Sequence, residues 1–202
     1  MEEILNKYSL LKDQNVPRET LLEFESFVDM LIRKNDQINI ISKETAKNDV
    51  IRNRHILDSA QIIDFIDFNS KNIIDIGSGG GMPGIIVSIM IKNMERNLKV
   101  ILYEKSHHKC AFLKKASKDL KLNTVVIKKN IFEEENLDTG TIMTRAFKPL
   151  PIVLDLVFKN FKNYKNLIIF MGKSGEKVLE ETLNSWEFDF EKKQSITNED
   201  SF

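Results

Sequence analysis

The chain of 202 residues is poor in the features that staple small proteins or string out disordered ones. Its single cysteine, Cys110, excludes an internal disulfide and a multi-cysteine zinc site, which fits a reducing compartment. With only 4 prolines and 8 glycines against 42% hydrophobic residues, it is neither collagen-like nor disordered. Long apolar runs are missing too: Ile85 to Val87 and Leu167 to Met171 fall far short of the roughly 20 residues that span a bilayer. The opening MEEILNKYSLL is acidic and lacks a secretory pattern, so a cytoplasmic protein with no membrane association is expected. Charge of one sign is also absent. Lys+Arg and Asp+Glu stand at 30 each, so any nucleic-acid site has to be a local patch. The chain is rich in Lys, Asn and Ile, a composition of AT-rich codon usage, so the scarce arginines, Arg54 and Arg145 among them, carry more information than single lysines.

What is present suffices for one domain with a real core and a small appendage. The first third reads as helices. From Val16-Pro17, the residues Leu21, Leu22, Phe24, Phe27, Val28, Leu31 and Ile32 recur at helical spacing, with Pro17 favourable in the first turn. Asn35 to Ser42 breaks that helix, and Ser42-Lys43-Glu44-Thr45 can cap a shorter one ahead of Val50 to Leu57. The polar stretch Asp67 to Lys71 then closes an N-terminal helical region, residues 1–68. Over 69–202 the grammar alternates. Strands are expected at Asn72 to Ile76, Lys99 to Glu104, Thr124 to Lys128, Thr141 to Thr144 and Asn166 to Met171. Helices are expected at Pro83 to Ile91, His107 to Leu120, Pro149 to Phe161 and Gly175 to Asn184. This implies an α/β fold with a doubly wound, mostly parallel sheet covered on both faces. Trp186, Phe188 and Phe190 alternate as a further strand before the polar run Ser195 to Ser201.

The segment Ile73-Ile74-Asp75-Ile76-Gly77-Ser78-Gly79-Gly80-Gly81-Met82-Pro83-Gly84 carries the chemistry. An apolar strand running into glycines and then a helix lets backbone approach a ligand at the carboxyl end of the sheet, where a nucleotide-like cofactor is the natural occupant. Gly79, Gly81 and Gly84 formally satisfy the dinucleotide fingerprint G-x-G-x-x-G. Read one step earlier, Asp75 with Gly77, Gly79 and Gly81 resembles the first motif of class I S-adenosylmethionine-dependent methyltransferases, a Rossmann-like fold. An acid such as Asp75 suits a cationic sulfonium cofactor and would repel a pyrophosphate. Glu104, at the end of the second strand, can accept hydrogen bonds from both ribose hydroxyls of an adenosine, a feature that NAD enzymes share.

A closer resemblance follows from Arg54-His55-Ile56-Leu57-Asp58-Ser59, the glycine loop ending Met82-Pro83-Gly84, Glu104 with Lys109 and Phe112-Leu113, and Thr144-Arg145-Ala146-Phe147, taken in this order. Together, over about two thirds of the chain, they resemble the RsmG (GidB) family, bacterial enzymes that methylate N7 of a guanine in a loop of 16S ribosomal RNA. The resemblance implies S-adenosyl-L-methionine as cofactor, held by Gly77, Gly79, Met82, Glu104, Phe132, Glu133 and Arg145. It also implies an RNA or small-ribosomal-subunit partner and a final strand after Ser195 to Ser201 that this sequence does not show; a monomer is expected. Arg54, His55 and Lys109 are the expected RNA contacts, with Arg54 and Asp58 four positions apart and so neighbours on one helix face. Departures from the family pattern fall at Lys34, Ile131 and Met171.

Guanine N7 carries a lone pair and no proton, so no general base and no metal are expected. Cys110, within Lys109-Cys110-Ala111-Phe112-Leu113, reads as a packed helical cysteine and not as the thiolate of a cytosine-C5 enzyme. The N-P-P and D-P-P motifs of exocyclic amine methylation are missing. A small-molecule methyltransferase, an NAD-dependent oxidoreductase and a catalytically silent RNA-binding relative remain compatible with these residues.

Overall fold

The structure, a computed structural model, describes residues 8, 9, 11, 16–42 and 50–202. Its first helix, α1, is Arg18–Asn35, entered through Pro17, and it buries Leu21, Phe24, Phe27, Val28 and Leu31 along one stripe. The short helix expected after the Ser42 to Thr45 cap lies outside the described residues. The rod α2 then changes pitch along its length. Wide π turns over Ile51–Leu57 pass into one α turn, Asp58–Ala60, and a tight 3-10 stretch, Gln61–Phe65.

From there strands and helices alternate: β1 Asn72–Ile76, α3 Gly84–Asn93, β2 Lys99–Tyr103, α4 His107–Asp119, β3 Thr124–Ile127, β4 Leu137–Asp138, β5 Thr141–Arg145, α5 Leu150–Asn160, β6 Phe161–Lys162, β7 Asn166–Phe170 and α6 Gly175–Leu183. Five strands form one all-parallel sheet in the order β3-β2-β1-β5-β7, while β4 and β6 pair separately. The register aligns Ile127, Tyr103, Ile76, Thr144 and Ile169, so Glu104, Gly77 and Arg145 all leave the sheet at one rim. Chain order reverses at β1, the position where open α/β sheets bind ligands.

Side-chain alternation divides the core. Ile73, Val100, Leu102 and Met143 face α1, α2, α3 and α4, in one cluster with Phe24, Phe27, Ile56, Ile85 and Leu113. Their neighbours Ile74, Ile76, Tyr103 and Ile142 face Val153, Leu156 and Val157 of α5. The helical region before residue 69 therefore shares its core with the α/β layer. Phe27 and Phe112 meet across α1 and α4 with ring centroids 6.0 Å apart, and Glu23 of α1 pairs with Lys92 of α3.

The strand expected at Trp186 to Phe190 does not form. Its alternating aromatics pack instead of pairing: Trp186 meets Phe158 edge-on at 6.2 Å, and Phe188 meets Phe190 at 5.9 Å. A groove of ≈ 430 Å³ is lined by β7 on one side and Phe188 to Lys193 on the other, so this segment reaches no ladder partner. Beyond it, Met171 and Phe202 exchange backbone hydrogen bonds of 2.6 and 3.0 Å. No helix among the described residues is long and apolar enough to cross a membrane.

Candidate active site

The turn from β1 into α3 is held by its neighbour strand: the Gly77 and Ser78 amides donate to the Tyr103 carbonyl at 2.9 and 3.0 Å. Gly77 has φ +71°, and a Cβ there would overlap the edge of the Phe147 ring at Cδ2. At Gly84 a Cβ would run into Leu102 and Asp75, so the helix can start this close to the sheet only with glycine. The loop is sunk into the protein: Gly80, Gly81 and Met82 are buried, and Met82 packs with Ile40 and Ile41 around Gly80. Any contact from Met82 to a cofactor must therefore come from its backbone.

Asp75 is not where a cationic cofactor would need it. Its carboxylate is enclosed, and Oδ2 accepts from the Gly84 amide at 3.0 Å, tying strand to helix. Burial pushes it up to about 7, with Glu104 adding to the rise and the Gly84 amide opposing it, while Oδ1 is enclosed without a hydrogen-bond partner. The acid that faces the loop is Glu104. Its Oε2 accepts from the Gly79 amide at 3.0 Å and its Oε1 from the Ser106 amide at 2.8 Å. Each oxygen keeps lone-pair capacity for a further donor, as two ribose hydroxyls require. Glu104 also takes up a loop N–H that a pyrophosphate would need, and it brings negative charge to the same place. These residues thus fit S-adenosylmethionine better than a dinucleotide, through Glu104 and not through Asp75.

Past β3, the turn Ile131–Glu133 is anchored by buried Ile131 and leaves Phe132 exposed, stacked on Phe147 with centroids 5.9 Å apart and planes 22° apart. Glu133 is exposed and accepts from Asn130 at 3.1 Å. Ile131, one of the departures from the family pattern, serves as the apolar anchor of this turn. Cys110 is buried, its thiol 3.1 Å from the Glu104 carbonyl, and burial pushes its pKa up, which suits packing and not nucleophilic attack. Among the described residues no group of three or more His, Cys, Asp or Glu side chains could hold a metal ion.

The other flank departs from the expected pairing. Arg54 and Asp58 do not meet as side chains: Arg54 is exposed while Asp58 is buried. Asp58 turns inward to Arg145, with Nη2 and Oδ2 3.3 Å apart and the side chains 16% and 8% exposed. The same Nη2 donates to the Arg54 carbonyl at 2.5 Å, and the guanidinium lies over Phe170, 5.2 Å from its centroid. Asp58 Oδ1 takes two further donors from the end of the chain, Ser195 Oγ at 2.6 Å and Thr197 Oγ1 at 2.8 Å. Burial lowers Arg145 from its ordinary value while Asp58 opposes the shift. His55, expected at an RNA rim, has both ring nitrogens enclosed without a partner. Burial, then Arg145 and Arg54, lower it to about 4, so it is neutral at pH 7. Lys109 sits in the first turn of α4, beyond β2, while the Arg54 side chain is exposed beside β5; the two flank the loop from opposite sides. Ser195 and Thr197 gave no signal in the sequence, where they belong to a polar run.

The model of the family GidB, rRNA small subunit methyltransferase G, matches residues 20–201. The chain belongs to this family. It is 73% identical over 202 residues to the ribosomal RNA small subunit methyltransferase G of Pelagibacter ubique, covering 100% of this chain and 95% of that protein. To the protein of the same name from Rickettsia felis it is 36% identical over 185 residues, 92% of each chain. Among solved structures, it resembles a protein-L-isoaspartate O-methyltransferase of Plasmodium falciparum crystallised with S-adenosyl-L-homocysteine, at TM-score 0.50 and 24% identity, covering 83% of this chain and 81% of that one. It also resembles an S-adenosylmethionine-dependent O-methyltransferase of Thermotoga maritima, at TM-score 0.51 and 18% identity, covering 76% and 54%. These two likenesses concern the fold alone: this GidB-family chain has the class I methyltransferase architecture.

Proposed function

We propose that this chain transfers a methyl group from S-adenosyl-L-methionine to N7 of a guanine in 16S ribosomal RNA, acting as a cytoplasmic monomer on the small ribosomal subunit or its RNA. Beside the family match, one observation carries the reading: the glycine loop and Glu104 are bonded into a single cradle at the carboxyl rim, one strand away from Arg145. When bound, the cofactor supplies a methyl group activated on a sulfonium. The loop backbone at Gly77 and Gly79 and the Met82 backbone give it close approach, Glu104 holds the ribose, and Phe132 with Glu133 borders the adenine.

Guanine N7 presents an in-plane lone pair, gains the methyl and exchanges no proton, so the chain has no general base to provide. What it supplies is position. Holding N7 in line with the methyl is worth up to roughly 7–11 kcal/mol of the barrier. Arg54 and Lys109 flank the loop as candidate phosphate contacts. Phosphate contacts place the RNA and leave the cofactor untouched, so neutralising both is expected to lower the log-log salt slope of RNA binding by roughly 1.5–2 with cofactor affinity retained.

The test is to incubate the full chain with 16S RNA, and separately with small subunits, plus labelled S-adenosylmethionine, and to map N7-methylguanine by base-specific strand cleavage. Label at guanine N7 is expected. Label at another base, or none on either substrate, overturns the assignment. Methylation of small molecules with no transfer to RNA would favour the small-molecule alternative.

A further inference from the structure

A polar run ordinarily lies solvated, yet Ser195 to Ser201 closes on itself and on α2. The Ser195 amide donates to the Ser201 carbonyl at 2.8 Å, and the Gln194 side chain donates to the carbonyls of Asn198, Glu199 and Ser201 at 3.3, 2.7 and 2.9 Å. Within the turn, Ser195 Oγ accepts from the amides of Thr197 and Asn198, both at 3.1 Å. These bonds aim two hydroxyls, Ser195 Oγ and Thr197 Oγ1, at Asp58 Oδ1, while the Ile196 amide donates to Gln61 Oε1 at 3.1 Å. Asp58 Oδ2 is the oxygen left for Arg145 Nη2. Arg145 is thus fixed by Asp58 and the Arg54 carbonyl on Nη2 and by Phe170 against its plane. Its Nη1 is enclosed and has no hydrogen-bond partner. A guanidinium N–H left so is costly, and a ligand acceptor removes the cost. The order of the strands says which acceptor. Glu104 holds the ribose after β2 and Phe132 borders the adenine after β3, so the amino-acid end of the cofactor extends the other way along the rim, over β1 to β5. At that end the sulfonium and ammonium are cations, and the carboxylate is the one group a guanidinium attracts.

We propose that Asp58, Ser195 and Thr197 are positioning residues for the cofactor: the terminal turn fixes Asp58, Asp58 holds Nη2 of Arg145, and Nη1 is thereby presented to the cofactor's carboxylate. The C-terminal run, remote from the glycine loop in sequence, is in this way part of the cofactor site. The inference rests on the cofactor reading of this rim and does not depend on which base receives the methyl. Linkage gives it a second consequence. By whatever factor the closed turn raises affinity for the carboxylate, the bound carboxylate favours the closed turn by the same factor.

The test compares two ligands on the full chain by calorimetry: S-adenosyl-L-homocysteine, and 5′-methylthioadenosine, which keeps the adenine, the ribose and the sulfur and lacks the amino-acid end. Asp58→Asn should weaken S-adenosyl-L-homocysteine about tenfold, and Ser195→Ala combined with Thr197→Val about threefold, with the affinity for 5′-methylthioadenosine within about twofold of wild type in both. A merely structural role would weaken the two ligands alike. In an Arg145→Ala background the same changes should cost nothing further on either ligand. In the wild type, S-adenosyl-L-homocysteine should slow hydrogen exchange at the Ile196, Thr197 and Asn198 amides more than 5′-methylthioadenosine does at equal saturation, and this arm needs no variant to fold. Equal losses on the two ligands in proteins with native circular dichroism overturn the proposal. So do losses that persist in the Arg145→Ala background, the absence of any loss in both variants, or terminal amides that the two ligands slow alike. Failure of the wild type to bind either ligand would instead refute the cofactor reading of the rim.

Discussion

The two flanks of the rim are built in different ways. On the β2 side, the loop Gly77 to Gly84 and Glu104 lie within one β-α-β unit, joined by backbone bonds from Gly77 and Ser78 to Tyr103 and by the Gly79 amide to the Glu104 carboxylate. On the β5 side, Arg145 depends on Asp58 from α2, 87 positions away, and Asp58 in turn on Ser195 and Thr197 from the end of the chain, 137 and 139 positions from it. The first flank is local, made mainly of backbone, and tolerates little change at its glycines. The second is a long-range side-chain network around a buried charge. Damage to the first should appear in the affinity for any adenosine ligand, and damage to the second in stability and in the affinity for the cofactor's amino-acid end.

The largest effect is expected at Asp58→Ala. It leaves the Arg145 charge enclosed without its counter-ion, at side chains only 16% and 8% exposed, a class of change that costs about 3–5 kcal/mol. Urea unfolding measures this, and a loss below about 1 kcal/mol would show that the network is as forgiving as a surface pair. Gly77→Val puts a branched side chain at φ +71° and into the Phe147 ring. Strain of about 1–2 kcal/mol adds to the blocked approach, so S-adenosylmethionine affinity should fall at least about a hundredfold in calorimetry. An intact affinity would remove the loop from the cofactor cradle. Glu104→Gln keeps the shape and loses the charge. Cofactor affinity should drop by about 1.5–3 kcal/mol, while the rate at saturating cofactor stays near wild type. A reduced saturated rate would join the two flanks that are here held apart.

The mildest signal is a pH dependence in which the flanks oppose each other. Asp75, raised to about 7, stabilises the fold most fully below its unfolded value near 3.9, and this contribution fades as pH climbs to about 7. His55, lowered to about 4, contributes above its unfolded value of about 6.5, and its contribution fades as pH falls towards 4. In the wild type the two slopes offset each other between these limits. Asp75→Asn should expose the His55 slope, so that stability rises with pH across that window. A variant whose stability falls with pH there would contradict the buried, neutral state of His55.

How legible each part was follows from the same contrast. The strands β1, β2, β3, β5 and β7 could be read because each is a short apolar run closed by polar or glycine residues, and Gly77, Glu104 and Arg145 could be placed at strand ends by counting. Asp75 was misplaced beside the cofactor because alternation along a strand says which face a side chain takes, and not whether a helix N-terminus is waiting on that face. Trp186 to Phe190 has strand-like alternation and no strand, because alternation also arises where aromatics pack on an edge without pairing. The π turns of α2 were invisible because sequence periodicity is judged against 3.6 residues per turn, and a few wider turns are too short to shift it.

By itself, then, the sequence determined the parallel α/β layer, the rim at which a cofactor sits and the family, because these depend on hydrophobic period and on glycines at fixed offsets along the chain. Only the tertiary structure decided what Arg145 faces. Its partners are the Arg54 carbonyl and an inward aspartate, Asp58, whose other oxygen is held by two hydroxyls from a polar terminal run. Such polar contacts carry no periodic signature: a buried charge is paired by whichever acceptor the fold brings within about 3 Å, and that is set by how whole layers pack.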